Sequence, residues 1–228
     1  EQRQKVERYE MAGALAVLPL ALTSRAVVHT FEGELAAAAS LAAEAETVTK
    51  ATGSQLAPYS ALGVVAWQGR EAKVEALSEA MMEQVLARGE GIGLTVVEWA
   101  RALLCNGLGR YEDAQTAARQ ASTDRRELGM SGWALVELVE AASRTGNAEV
   151  AASALERLSE STAASGTDWG LGIAARSRAL VSGGEVAERH FQEAIERLGR
   201  TRIRTELARA HLVYGEWLRR DRRRLDAR

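Results

Sequence analysis

The sequence predicts an all-α protein: a right-handed solenoid of antiparallel helix pairs, with no β-sheet. Three observations predict it. Ala is the commonest residue at 43 of 228, Pro occurs only twice, and Ala, Leu, Glu and Arg are the strongest helix formers. A short turn with an alanine inside the next helix recurs along the chain. Its anchor is Gly109-Arg110-Tyr111-Glu112-Asp113-Ala114, and the matching alanines are Ala36, Ala72, Ala114, Ala151, Ala187 and Ala227, spaced by 36, 42, 37, 36 and 40 residues. Apolar stripes follow the helical period: Ile203, Leu207, Ala210, Tyr214 and Leu218 form one, and Leu56, Tyr59, Leu62, Gly63 and Ala66 another.

Twelve residues before each of those alanines stand Ser24, Ser60, Ala102, Val139, Ala175 and Gly215, and seven after the first five stand Ala43, Glu79, Ala121, Leu158 and Ala194. Two antiparallel helices that cross closely admit only small side chains where they cross. This is the logic of tetratricopeptide-like repeats, here stretched beyond their period of roughly 34 residues, which implies irregular repeats with longer loops.

Taken in order, residues 3–13 read as the second helix of an earlier pair. Pro19 suits the first position of the next helix. Helix pairs follow at 19–31 with 34–52, 56–68 with 70–88, 92–107 with 110–127, 132–145 with 148–164, and 168–182 with 185–198. Residues 203–219 open a sixth pair whose partner is cut off by Arg228. Gly53, Gly146, Gly166 and Gly199 suit left-handed C-caps, and Asn147, Thr167 and Ser131 suit N-caps. No Pro-, Gly- or Ser-rich linker divides the chain, so residues 1–228 read as one helical-repeat domain of about six pairs, truncated at both ends. The start at Glu1 rather than Met, and the end within a helical pattern, are those expected of a piece of something longer.

Composition excludes several classes. A hydrophobic content of 46% with a net charge of −2 is not that of a disordered chain, nor of a generally basic nucleic-acid binder. One Cys forms no internal disulfide. The longest apolar run, 11–22, is broken by Pro19 and is shorter than the roughly 20 residues a membrane helix needs. The mixed charges of residues 1–10 are not a signal-peptide layout, so a cytoplasmic location is expected.

Chemical motifs are absent too. The three lysines, Lys5, Lys50 and Lys73, follow Gln4, Thr49 and Ala72, so none completes a phosphate-binding Gly-x4-Gly-Lys loop. Gly89-Glu90-Gly91-Ile92-Gly93 has Leu94 where a dinucleotide loop needs its last glycine, and reads as an interhelical loop. His29, His190 and His211 form no His-Glu-x-x-His pair, and His190 with Glu193 alone makes no zinc site. Cys105, on an apolar helix face, reads as a small buried hydrophobe. Ser131 follows Gly129, but Trp133 stands where a nucleophile elbow needs its second glycine. No catalytic, cofactor-binding or metal-binding residue is therefore assigned, and no enzymatic activity is expected.

Tryptophan is the exception to this blandness. Trp67, Trp99, Trp133 and Trp169 recur at intervals of 32, 34 and 36, each in the first helix of a pair; Trp217 follows. They are the candidate contacts of a groove made by helices 56–68, 92–107, 132–145 and 168–182, for a sugar or peptide. The alternative is that the rings fill the packing between repeats, since their phase within the repeats is not constant. Charge is uneven at one end: residues 200–228 hold ten Arg and four acids, a net of +6 against −8 elsewhere. The run Arg219-Arg220-Asp221-Arg222-Arg223-Arg224 reads as a solvated interhelical turn or as a dock for a neighbouring domain. No aromatic interleaving supports direct nucleic-acid binding.

Three stretches resemble a known family. They are Trp99-Ala-Arg-Ala-Leu-Leu-Cys-Asn-Gly-Leu-Gly-Arg-Tyr-Glu-Asp-Ala114, then Ser165-Gly-Thr-Asp-Trp169 leading to Ala174-Ala-Arg-Ser-Arg-Ala-Leu180, and Arg202-Ile-Arg-Thr-Glu-Leu-Ala-Arg-Ala-His-Leu-Val-Tyr-Gly-Glu-Trp-Leu-Arg-Arg220. The chain, from about Val17 onward, is similar to the helical-repeat region of large ATP-dependent LuxR-type transcription regulators, the MalT-like group of actinobacteria. The resemblance implies a segment that senses an effector or partner and relays the signal between an ATPase domain and a helix-turn-helix domain. ATP would belong to the separate nucleotide-binding domain. With neither a Walker A lysine nor a DNA-reading helix, this segment is expected neither to hydrolyse ATP nor to read an operator by itself. The alternative is a stand-alone protein-interaction scaffold of the same fold.

Overall fold

The structure, a computed structural model, describes residues 2–53, 56–123, 130–223 and 226. Among the described residues there are eleven α-helices and no strand: α1 (Gln2–Phe31), α2 (Leu35–Thr52), α3 (Tyr59–Trp67), α4 (Glu71–Arg88), α5 (Gly91–Leu108), α6 (Tyr111–Ala121), α7 (Met130–Arg144), α8 (Ala148–Ser165), α9 (Asp168–Val181), α10 (Gly184–Gly199) and α11 (Arg204–Arg220). The all-α class follows from this.

Contacts gather the chain into two compact units. Unit 1 comprises Glu1–Thr30 and Glu34–Val97, and unit 2 comprises Phe31–Gly33 and Glu98–Arg228. In unit 1, α3 packs on α2 and on α4. In unit 2, α6 to α11 each pack on the next helix, and the first helices also meet one another, α7 with α9 and α9 with α11.

A shared register underlies the helix pairs. The fourth residue of each second helix is sealed from solvent: Ala38, Val74, Ala114, Ala151 and Ala187. Twelve residues earlier, Ala26, Leu62, Ala102, Val139 and Ala175 are fully buried; seven later, Ala45, Met81, Ala121, Leu158 and Ala194 are buried. The expected small positions are therefore buried from Ala102 and Ala114 to Ala175 and Ala187. In the first two pairs Ala36, Ala72 and Ser24 are exposed and the sealed positions stand two residues later, although Ser60 is buried where expected. Gly215 is half-buried, and Ala227 lies outside the described residues. The second pair also departs from the small-residue rule by using Leu62 and Val74.

The cause of the shift lies in the turns. Gly33, Gly69, Gly109 and Gly146 all adopt left-handed φ, between 67° and 83°, a region closed to most other residues. Each stands five residues before its buried position. Glycine, not alanine, marks the phase. Ala114→Leu should accordingly cost about 1–3 kcal/mol through overpacking, whereas Ala36→Leu should stay within about 0.5 kcal/mol. Urea unfolding of the two variants checks this register.

Several expected boundaries change. Residues 3–13 and 19–31 are not separate helices: α1 runs unbroken through Pro19, which is buried. Proline leaves the Leu15 carbonyl without its helical partner, but the flanking Ala and Leu residues sustain the helix on both sides. Helix α6 stops at Ala121 rather than 127, where the Ser122 N–H bonds back to the Ala118 carbonyl; 124–127 lie outside the described residues. Ser131 is the second residue of α7, not a cap. Gly199 ends α10 without a left-handed turn, since the chain continues through right-handed Arg200. Arg219 and Arg220 form the last turn of α11, where cations suit the helix dipole. Gly53 and Gly166 do close α2 and α8 in the left-handed conformation, and Asn147 and Thr167 accept from the Val150 and Gly170 N–H groups. No helix of the described residues is long and apolar enough to cross a membrane.

Candidate functional site

Three of the four tryptophans of unit 2 come together. Trp99 on α5, Trp133 on α7 and Trp169 on α9 form a continuous row, with ring centroids 5.4 Å apart in the first step and 6.3 Å in the second. Their places within the helices differ: ninth in α5, fourth in α7 and second in α9. That drift is why their phase looked irregular in the sequence, yet it still brings the rings side by side. Trp67 ends α3 in unit 1, and its indole N–H is buried without an acceptor. Trp217 belongs to a second aromatic group, with Phe191 and Tyr214.

The row already has an occupant. Phe31 meets Trp133 edge-on at 4.8 Å and Trp169 at 5.3 Å, and it is 6% exposed. Such pairs contribute about 0.5–1.5 kcal/mol each beyond burial. The Thr205 hydroxyl donates to the Phe31 carbonyl at 3.1 Å. Arg202 pairs with Glu32 at 3.0 Å. A Cβ on Gly33, whose φ is +83°, would sit 3.3 Å from Arg204 Cβ. The segment is thus held by an aromatic anchor, a backbone bond, an ion pair and a close glycine approach. The Trp169 Nε1–H, by contrast, is buried without an acceptor, a deficit of about 1–3 kcal/mol.

The first helices of unit 2 also share a buried polar network. The Asn106 side-chain amide donates to the Glu137 carboxylate at 2.8 Å and to its carbonyl at 3.0 Å. Arg209 forks onto Glu140 through both Nε and Nη2, the Nε contact being 3.1 Å. Arg144 pairs with Glu216 and lies over the Tyr111 ring. Arg176, 2% exposed, pairs with Glu206 at 2.7 Å. Among the described residues Glu137 makes no ion pair of its own, Arg209 being held by Glu140. Burial first, then the Glu140 charge, pushes its carboxyl up to about 7, against the opposing pull of Arg209 and Asn106. For Arg209, burial acts downward, but the charge and hydrogen bonds of Glu140 outweigh it and hold the guanidinium above its ordinary range.

Other candidates from the sequence have plain placements. His190 lies 3.7 Å from Glu193 on one helix face, and Cys105 is half-buried. Gly89 caps α4 and Gly91 begins α5, an interhelical turn as expected. Two clefts occur elsewhere, about 310 Å³ beside Thr23, Glu46 and Gln84 and about 610 Å³ beside Arg119, Asn147 and Arg157. None of the four tryptophans lines either. Among the described residues no group of three acidic, His or Cys side chains could hold a metal ion.

Sequence reasoning missed Phe31, Thr205 and Arg202. Phe31 is one of only two phenylalanines, but nothing local ties it to tryptophans more than 60 residues away. Comparison with known protein families, curated proteins and solved structures finds no match for this chain.

Proposed function

We propose that this chain is a regulatory helical-repeat segment. It takes an effector or partner on the half-buried Trp133 and Trp169, with Trp99 behind them in the core at 5% exposure, and relays that event between an ATPase domain and a DNA-binding domain outside the chain, in a cytoplasmic regulator of the LuxR type. The observation that supports an interaction role is the row of indoles supplied by three successive first helices. Aromatic faces bind rings and apolar side chains with little conformational cost, and they need no reactive group. The regulator context rests on the resemblance of the stretches around Trp99, Trp169 and 202–220. Binding there would act by favouring one of two helical packings, and only through its difference in affinity for the two.

The coding sequence on either side of these residues tests the context. Flanking ATPase and helix-turn-helix domains support it, and their absence favours a stand-alone interaction scaffold. Calorimetry on the complete regulator tests the face. Trp133→Phe, which keeps a ring but shrinks it, should weaken effector binding about tenfold. Unchanged affinity for both Trp133→Phe and Trp99→Phe rejects the tryptophan face as the site.

A further inference from the structure

We propose that the tryptophan face, with Thr205 and Arg202, is a recognition site for a protein turn bearing an aromatic residue, an acidic residue and a glycine in succession, and that Phe31-Glu32-Gly33 is its resident occupant in cis. The proposal deepens the reading of that face as a binding surface and does not depend on the regulator context.

The three residues are engaged as a bound peptide is engaged. One side chain anchors in the aromatic row: Phe31 lies 4.8 Å from Trp133 and 5.3 Å from Trp169. One backbone carbonyl is captured, that of Phe31 by the Thr205 hydroxyl. One charge is read, that of Glu32 by Arg202. The last position favours glycine, because its φ is +83° and Arg204 Cβ stands 3.3 Å from where a Cβ would be. Each contact selects a chemistry, and together they spell aromatic, acidic, glycine.

Two features leave room for exchange. The Arg202 side chain is 86% exposed, so its half of the ion pair is open to a competing carboxylate. The resident also leaves the buried Trp169 Nε1–H without an acceptor, so a trans turn that brings one makes a bond the resident does not.

The test uses the full chain and a synthetic heptapeptide of residues 29–35, with tryptophan fluorescence as the readout. Phe31→Ala vacates the anchor, and this variant should bind the peptide saturably. The wild-type chain should bind at least about tenfold more weakly, because its tethered segment competes at an effective concentration of order millimolar. A peptide with alanine for its phenylalanine should not bind. Adding Arg202→Glu to the vacated chain should weaken binding about tenfold, and a peptide with lysine for its first glutamate should restore it.

Should Phe31→Ala fail to fold, Phe31→Leu, which keeps an apolar side chain but removes the ring, replaces it, and it should still bind the peptide more tightly than the wild-type chain does. No saturable binding to the folded vacated chain, equal binding to wild type, or no rescue by the charge swap overturns the proposal. Its failure is separable from failure of the functional reading: effector affinity that still depends on Trp133 in the complete regulator would keep the face and discard this occupant.

Discussion

Arg209→Met should lower the unfolding free energy at pH 7 by about 3–5 kcal/mol, the cost of stranding a buried charge. Glu140 is 3% exposed and both of its oxygens are held by Arg209. Methionine roughly keeps the length and apolar stem of the arginine, so the loss is electrostatic rather than a cavity. The stranded carboxylate would also face Glu137 without the cation that moderates their repulsion. Adding Glu140→Gln should recover most of the loss, since removing both charges of a buried pair is close to neutral where removing one is not. Urea unfolding of the two single variants and the double variant measures this coupling. A loss below about 1 kcal/mol for Arg209→Met would place the pair with ordinary surface bridges and reject its buried role.

The same pair explains what fixes α11. Its residues Glu206, Arg209 and Glu216 reach Arg176 on α9 and Glu140 and Arg144 on α7. An apolar seam tolerates sliding by a helical turn, because most Leu and Ala contacts are replaced by similar ones. Three ionic pairs from one helix are satisfied together in one register only. The ionic network therefore favours one register of α11 rather than adding much net stability.

The helices and most of the repeat could be read from composition and periodicity, because Ala-rich amphipathic segments punctuated by glycine have few other solutions. The phase of the first two pairs could not be read from alanine: Ala36 to Ala39 form a run in which any member fits a small-residue template, and only Ala38 is sealed. The turn glycines Gly33 and Gly69 carried the correct phase, since left-handed φ is a requirement and a small side chain only a tolerance. Pro19 misled in the opposite direction, being read as a boundary although it lies inside a helix. For the candidate site, the tryptophan spacing pointed to rings on successive first helices, and Trp99, Trp133 and Trp169 do meet. The contact with Phe31 was not legible, because tertiary proximity between residues so far apart leaves no local pattern. Nor was the burial of Glu137 and Glu140, since a Glu within Leu-Val-Glu-Leu-Val-Glu fits a solvated helix face equally well.

Glu137→Gln should abolish a pH dependence that the wild-type protein shows between about 4.5 and 7. The carboxyl titrates near its ordinary 4.5 when unfolded and at about 7 when folded. Within that window the folded protein holds a proton that the unfolded chain has released, so raising the pH favours unfolding. Its contribution to stability is complete below 4.5, declines through the window and is gone above 7. A difference of that size corresponds to about 3 kcal/mol. Glutamine stays neutral throughout and can still accept from the Asn106 amide, so the variant should match wild type near pH 4.5 and exceed it by about 3 kcal/mol at pH 8. Glu188 and Glu193, whose carboxyls are lowered, weaken both proteins alike as the pH falls and cancel in the difference. The decisive quantity is thus the difference in unfolding free energy between variant and wild type against pH, from urea titrations at matched ionic strength. A flat difference would mean that Glu137 is already ionised when folded, with Arg209 serving two carboxylates at once. In that case Arg209→Met should cost more than a single stranded charge, so the two variants constrain each other through the same guanidinium.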